Sequence, residues 1–234
     1  MRKKYGIPNE FTRGEIGELW IDTDTGAKYK CNSIATINDG ETEEKYYMWD
    51  PVQENYKEQA ALYESILTGD VTAFDVPDNW TEIRASAFYR CTKLQSITIL
   101  NNIATIGESA FSVCTSLKSI TIPSSVTTIK AYAFNMCSKL TDVTLPSSLT
   151  TLGASVFAKC DVLTNVTLGD GFNCDNLNLS ASSKYTVDIL VGMLAALADR
   201  TGQTTYTLTL GTSNLAKLSD EQKAVATAKN WTLA

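Results

Sequence analysis

The chain has no histidine. That removes Ser-His-Asp and Cys-His nucleophile systems together with the common His-containing zinc sites. It has no Cys-x-x-Cys pair, the spacing that thiolate metal clusters favour. It has no run of about 18 apolar residues, so no segment is expected to enter a membrane. It also lacks a basic stripe. Residues 71–234 hold 12 Lys/Arg and 12 Asp/Glu, and the whole net charge of −6 falls on residues 1–70, with 8 and 14. Nucleic-acid binding rests on phosphate neutralisation, so no nucleic acid is expected as a partner. The opening residues, Met1 to Pro8, carry basic residues with no apolar stretch behind them, unlike a secretory signal. Either such a segment was trimmed from this chain or the protein never carried one.

What the chain does have is a beat. Phe88, Phe111, Phe134 and Phe157 are spaced by 23 residues, and Cys91, Cys114, Cys137 and Cys160 keep the same interval. A fixed period in the low twenties predicts a solenoid, one unit copied and stacked. Each unit opens on a strand: Leu94-x-x-Ile97-x-Ile99, Leu117-x-x-Ile120-x-Ile122, Leu140-x-x-Val143-x-Leu145 and Leu163-x-x-Val166-x-Leu168, with an earlier copy at Val71-x-x-Phe74-x-Val76. Period-two apolar spacing turns those side chains inward. A turn follows, with Pro77, Pro123 and Pro146 in three copies. Then comes a second extended stretch (Trp80/Ile83, Ile103/Ile106, Val126/Ile129, Leu149/Leu152) and an Ala-Phe element, Val156-Phe157 in the last copy. With coils spaced by about the 4.7–4.9 Å of neighbouring strands, each Phe ring should meet the next in a continuous column.

The unit Leu-x-x-Ile-x-Ile-Pro-Ser-Ser-Val-Thr-x-Ile-x-x-x-Ala-Phe-x-x-Cys, clearest at residues 117–137, resembles the BspA-type leucine-rich repeat. The match covers about residues 71–169 and departs from the pattern at Trp80, Leu100 (where Pro would sit) and Val156. The resemblance implies an α+β solenoid: a right-handed leucine-rich-repeat superhelix of the kind found in bacterial surface proteins, associated with adhesion and with binding extracellular proteins. It brings no catalytic residues. Separately, residues 14–26 (Gly14 to Gly26) are similar to short modules of phage tail-fibre and baseplate proteins, which implies a virion-associated alternative.

The expected organisation has four parts. Residues 1–53 form a small aromatic β module, holding four of the ten tyrosines and two of the four tryptophans. Its hairpin pairs Glu18–Asp22 with Ala27–Cys31, and a third strand runs over Lys45–Trp49. Residues 54–70 form a linking or capping helix over 54–67, closed at Gly69. Residues 71–169 are the repeats. Residues 170–234 form a C-terminal cap with strands at Leu177–Leu179, Tyr206–Leu210 and Trp231–Leu233, a helix from Thr186 to Asp199 with apolar Val187, Leu190, Leu194 and Leu197, and a second helix opened by the capping box Ser219-x-x-Gln222.

The periodic cysteines read as a column of buried free thiols, although neighbouring coils would bring two sulfurs near bonding range, which leaves a disulfide open. Cys31 and Cys174 fall off that column. Asp22-Thr23-Asp24-Thr25-Gly26 reads as a polar β-turn, because the ligands that a calcium loop needs further on are missing: the fifth position is Gly26 and the twelfth is Ser33. Glu41, Glu43 and Glu44 read as a solvated acidic loop. No metal, cofactor or catalytic residue is expected. The repeats offer few carboxylates for glycoside hydrolysis, so an enzyme is the remote reading.

The candidate binding residues are the outward positions of the first strand: Ser96, Thr98, Ser119, Thr121, Asp142, Thr144, Asn165 and Thr167. Strand propensity alone accounts for recurring Thr, but solenoids bind on their extended strand faces. The expected function is non-enzymatic binding or adhesion to an extracellular protein or glycan, at the cell surface; the alternative is a tail-associated structural or host-recognition part.

Overall fold

The computed structural model describes residues 70–78 and 80–234 and, ahead of them, the backbone of four strands. The chain divides into two compact units, Met1–Thr68 and Gly69–Ala234. The helix expected over residues 54–67 and the calcium-or-turn segment 22–26 lie outside the described residues.

In the first unit, β1 (Lys3–Tyr5), β2 (Leu19–Ile21), β3 (Lys28–Asn38) and β4 (Glu43–Pro51) form one sheet in that order. β1 runs parallel to β2, and β2–β3–β4 are antiparallel, with Trp20 opposite Tyr29 and a bulge between Cys31 and Ser33. Glu43 and Glu44, read from sequence as loop residues, open β4.

The second unit is a stack of coils, and each 23-residue coil has three walls. The first wall carries β5 (Ala73–Asp75), β7 (Ser96–Thr98), β9 (Ser119–Thr121), β11 (Asp142–Leu145) and β13 (Asn165–Leu168). The second carries β6 (Glu82–Ile83), β8 (Thr105–Ile106), β10 (Thr128–Ile129) and β12 (Thr151–Leu152), joined in one parallel ladder. The third is the turn that holds the phenylalanine. There the first three Phe amides donate to the next coil, Phe88 to Ala110 O at 2.7 Å, Phe111 to Ala133 O at 2.8 Å and Phe134 to Val156 O at 3.0 Å.

The core follows from the period. Phe88, Phe111 and Phe134 are fully buried, and Phe157 nearly so. Their rings stack with centroids 5.0, 5.1 and 5.6 Å apart and planes within 8°. Phe74 closes the column edge-on at 4.9 Å from Phe88. Beside it runs the thiol column. Cys114 Sγ donates to Phe88 O at 3.1 Å, Cys137 Sγ to Phe111 O at 3.2 Å and Cys160 Sγ to Phe134 O at 3.1 Å. The Phe88, Phe111 and Phe134 carbonyls therefore each take the amide of their own coil's cysteine and the thiol of the next coil's. Cys91, Cys114, Cys137, Cys160 and also Cys174 are buried and unbridged.

Two features of the turn wall have no signal in residue type. Ser86, Ser109, Tyr132 and Ser155 take left-handed φ of 53–57°, and Arg90, Val113, Met136 and Lys159 take 58–64°. Each Phe thus sits between two left-handed residues, and none of the eight is glycine or asparagine. Glycine is instead demanded where coils touch. A Cβ on Gly153 would lie 2.2 Å from Ala131 N, and one on Gly107 would lie 2.4 Å from Ala85 N.

Beyond β13 the units lengthen. β14 (Leu177–Asn178), β15 (Tyr206–Thr209) and β16 (Trp231–Leu233) form a parallel sheet. Between them lie α1 (Val187–Ala196), α2 (Thr212–Leu215) and α3 (Asp220–Ala228). Thr186 caps α1 by accepting from Ile189 N, and Leu190, Met193 and Leu194 are buried. Val187, expected inward, is exposed, because α1 begins there and its first turn points off the core. The helix also stops at Ala196 rather than Asp199. The chain there becomes extended, and Leu197 bridges to Phe172. The Lys229 ammonium donates to Ala195 O at 2.6 Å and Leu197 O at 2.7 Å, where the helix ends. Ser219 and Gln222 form both halves of a capping box on α3. Arg200 is buried, stacked 3.3 Å over the Tyr206 ring and donating to Thr204 O.

Candidate binding surface

The eight residues singled out from sequence all lie on the first wall. Side chains alternate along a strand, so burying Ile120, Val143 and Val166 (each at most 3% exposed) forces their neighbours out. Ser96, Thr98, Ser119, Thr121, Asn165 and Thr167 are exposed, and Asp142 and Thr144 are half-buried. Two rows result. Ser119, Asp142 and Asn165 are in register across β9, β11 and β13, as are Thr121, Thr144 and Thr167.

The rows differ in chemistry. Asn165 Nδ2 donates to Asp142 Oδ1 at 3.1 Å, and Thr141 Oγ1 donates to Asp142 Oδ2 at 2.6 Å, so the Asp142 carboxylate is held in place. No described hydrogen bond engages the Thr121, Thr144 or Thr167 hydroxyls. They stand at the spacing of neighbouring strands, about 4.8 Å, as a row of groups that both donate and accept.

Sequence reading missed part of this wall. β5 pairs with β7, placing Ala73 beside Ser96 and Asp75 beside Thr98. The outward parity of Val71-x-x-Phe74-x-Val76 was the signal for both. It also missed how the flanks are stapled. Ser125 Oγ donates to Ile103 O at 2.7 Å and Ser148 Oγ to Val126 O at 2.9 Å; Thr164 Oγ1 donates to Thr141 O at 3.4 Å. These hydroxyls serve the coil beneath, unlike those on the strand face. Beside the wall lies a shallow, open depression lined by Lys118, Ser138, Lys139, Thr141 and Val162.

The wall is broken at one place. It is not one continuous sheet: β5–β7 and β9–β11–β13 are separate ladders, with no ladder pairing between β7 and β9. Among the described residues, no cluster of Cys, Asp or Glu has metal-binding geometry, and no helix is long and apolar enough to cross a membrane.

Residues 63–183 match the family model of the BspA type leucine rich repeat region, in six copies. The chain belongs to the BspA-type leucine-rich repeat family. The matched span extends past residues 71–169 at both ends. At the C-terminal side the structure gives the reason: Phe172 and Cys174 are still buried.

Among solved structures, a leucine-rich repeat protein from Bacteroides ovatus ATCC 8483 is 28% identical, covering 42% of this chain and 31% of its own, with a TM-score of 0.40. A leucine rich cell surface protein from Faecalibacterium prausnitzii A2-165 is 22% identical over 68% of this chain and 42% of its own, with a TM-score of 0.41. The T. pallidum Leucine Rich Repeat protein is 22% identical over 70% and 85%, with a TM-score of 0.43. The chain thus spans less than half the length of the first two. No curated protein matches it. None of these similarities lends support to the phage-module resemblance of residues 14–26.

Proposed function

We propose that this protein is a non-enzymatic binding protein of the bacterial cell surface, presenting its first wall to an extracellular protein or glycan. The observation that carries the reading is the row Thr121–Thr144–Thr167. Its hydroxyls are in register, turned outward and engaged by no described protein partner, while the serines and threonines on the flanks are spent on stapling coils. Family membership supports a repeat surface as the working part, and one similar structure is described as a cell surface protein. With Asp142 as the one acidic side chain on the three-stranded ladder, recognition there rests on hydrogen bonding more than on charge.

The test is a binding screen of the full chain against immobilised extracellular proteins and glycans, repeated with Thr121→Lys/Thr144→Lys. The double variant should keep its circular dichroism and lose the captured partner by at least about tenfold, since a cation pair now crowds the row. Lys130→Glu, off this wall, should bind as the parent does. Undiminished binding by the double variant would move the site elsewhere.

A further inference from the structure

We infer that the strand wall contains a built-in joint between β7 and β9, at which the second and third coils part while their other two walls stay closed. The observation is a set of missing bonds at one interface. Val76 N donates to Thr98 O and Ile122 N to Thr144 O, both at 3.0 Å, yet the equivalent bond from Ile99 N to Thr121 O is absent. At the start of the strands, Thr141 N and Asp142 N both reach Lys118 O, and Thr164 N and Asn165 N both reach Thr141 O. Between the second and third coils a single long contact remains, Lys118 N to Gln95 O at 3.4 Å, and Ser119 N has no such acceptor. Solvent reaches the interior accordingly. Ile97 is only half-buried, although Phe74, Ile120, Val143 and Val166 at the same position are at most 3% exposed.

The two remaining walls hold across this interface. Thr105–Ile106 pair with Thr128–Ile129. Ser109 N, Phe111 N and Val113 N each donate to the third coil at 2.8–3.0 Å. The Phe111 and Phe134 rings stay stacked. An interface fastened on two sides and unfastened on the third opens about the fastened sides.

The second coil is meanwhile clamped to the first. β7 pairs with β5, and Asn102, standing where later coils have Ser125 and Ser148, donates to both Asp78 O and Trp80 O at 2.6 Å. The joint therefore separates a plate of coils one and two, bearing Ser96 and Thr98, from a plate bearing Ser119 to Thr167. The angle between the plates sets the curvature of the wall. This inference concerns the coils alone and stands whether or not the wall binds anything.

The experiment pairs amide hydrogen exchange on the full chain with spin-label distance distributions. The Ile99 and Ser119 amides should exchange on the order of a hundredfold faster than those of Ile122 and Asp142. Nitroxides at Asp75 and Thr167, on the strand wall, should give a broader distribution than nitroxides at Glu82 and Thr151, on the continuous ladder. Slow exchange at Ile99 and Ser119 would overturn the joint. Fast exchange with equally narrow distributions would overturn it too, since the split would then be a fixed gap.

Discussion

The Phe111 and Phe134 rings lie parallel, 5.1 Å apart between centroids and 4° between planes, although 22 residues separate them in the chain. That contact is the repeat period expressed as packing. Aromatic pairs of this kind contribute about 0.5–1.5 kcal/mol beyond the area they bury, and Phe134 takes part in two of them.

Phe134→Ala should therefore lower stability by about 3–5 kcal/mol, the range for emptying a buried aromatic site. Urea unfolding followed by far-ultraviolet circular dichroism measures it. In a stack of nearest-neighbour contacts the loss should reach both adjacent coils and broaden the transition. A cost under about 1 kcal/mol would show that the column does not hold the coils together.

Val113 is β-branched and held at φ 64°, in the left-handed region. L-residues there cost roughly 1–2 kcal/mol, and asparagine less. Asn176 and Asn230 occupy the same region in this chain. Val113→Asn should raise the urea midpoint by an amount worth about 1 kcal/mol, since the side chain it replaces is only half-buried. A lowered midpoint would mean that Val113 packing outweighs the backbone term.

Gly153→Ala should do the opposite. The added methyl would sit 2.2 Å from Ala131 N and 2.6 Å from Lys130 C, both main-chain atoms of the preceding coil. Neither can rotate away, so the coils must separate. Overpacking of this kind costs about 1–3 kcal/mol, and thermal unfolding should register it as a lowered midpoint. Gly192, with open space around its Cα, should accept alanine and gain slightly from helix propensity.

The thiols make stability fall at alkaline pH. Burial pushes Cys91 up to about 11. Burial, then the neighbouring Asp175, does the same to Cys174, also to about 11. Cys114 is pushed further up by burial, and Cys137 by the neighbouring Cys160 thiol and by burial. An unfolded thiol titrates near 8.5, so above that pH the unfolded chain sheds protons that the folded chain retains. The contribution is complete below about pH 8.5 and is lost as the pH climbs towards about 11. The urea midpoint should be level through neutrality and then decline, less steeply in Cys174→Ala. A thiol reagent applied at neutral pH should modify these cysteines only as fast as the protein opens.

What the sequence revealed, and what it hid, separates by kind of physical signal. Burial has a periodic signature, so the stacked phenylalanines, the inward Ile120, Val143 and Val166, and the outward parity of the candidate face could all be read from spacing. Local side-chain chemistry has a signature too, as in the Ser219–Gln222 capping box. Backbone strain had none: Ser86, Arg90, Tyr132 and Met136 are ordinary residues at left-handed positions, held there by bonds between coils. The break in the strand wall was equally silent. Ser96-Ile97-Thr98 and Ser119-Ile120-Thr121 are the same tripeptide, so no property of the strands themselves distinguishes the unpaired interface. The departure lies in the following turn, where Leu100-Asn101-Asn102 replaces Pro-Ser-Ser. Val187 was misplaced because helical periodicity does not say where the first turn leaves the core.

Three thiol-to-carbonyl bonds and two serine-to-carbonyl bonds each reach one coil back by the same atoms. Such a lattice carries no internal measure of how many steps it contains. Excising one whole period, residues 117–139, would bring Ser116 against Leu140, with the Cys160 thiol opposite the Phe111 carbonyl and the Ser148 hydroxyl opposite the Ile103 carbonyl. Reach in this architecture is therefore quantised: it changes by whole rungs of about 4.8 Å, and evolution or an engineer can add or remove them like storeys of a tower.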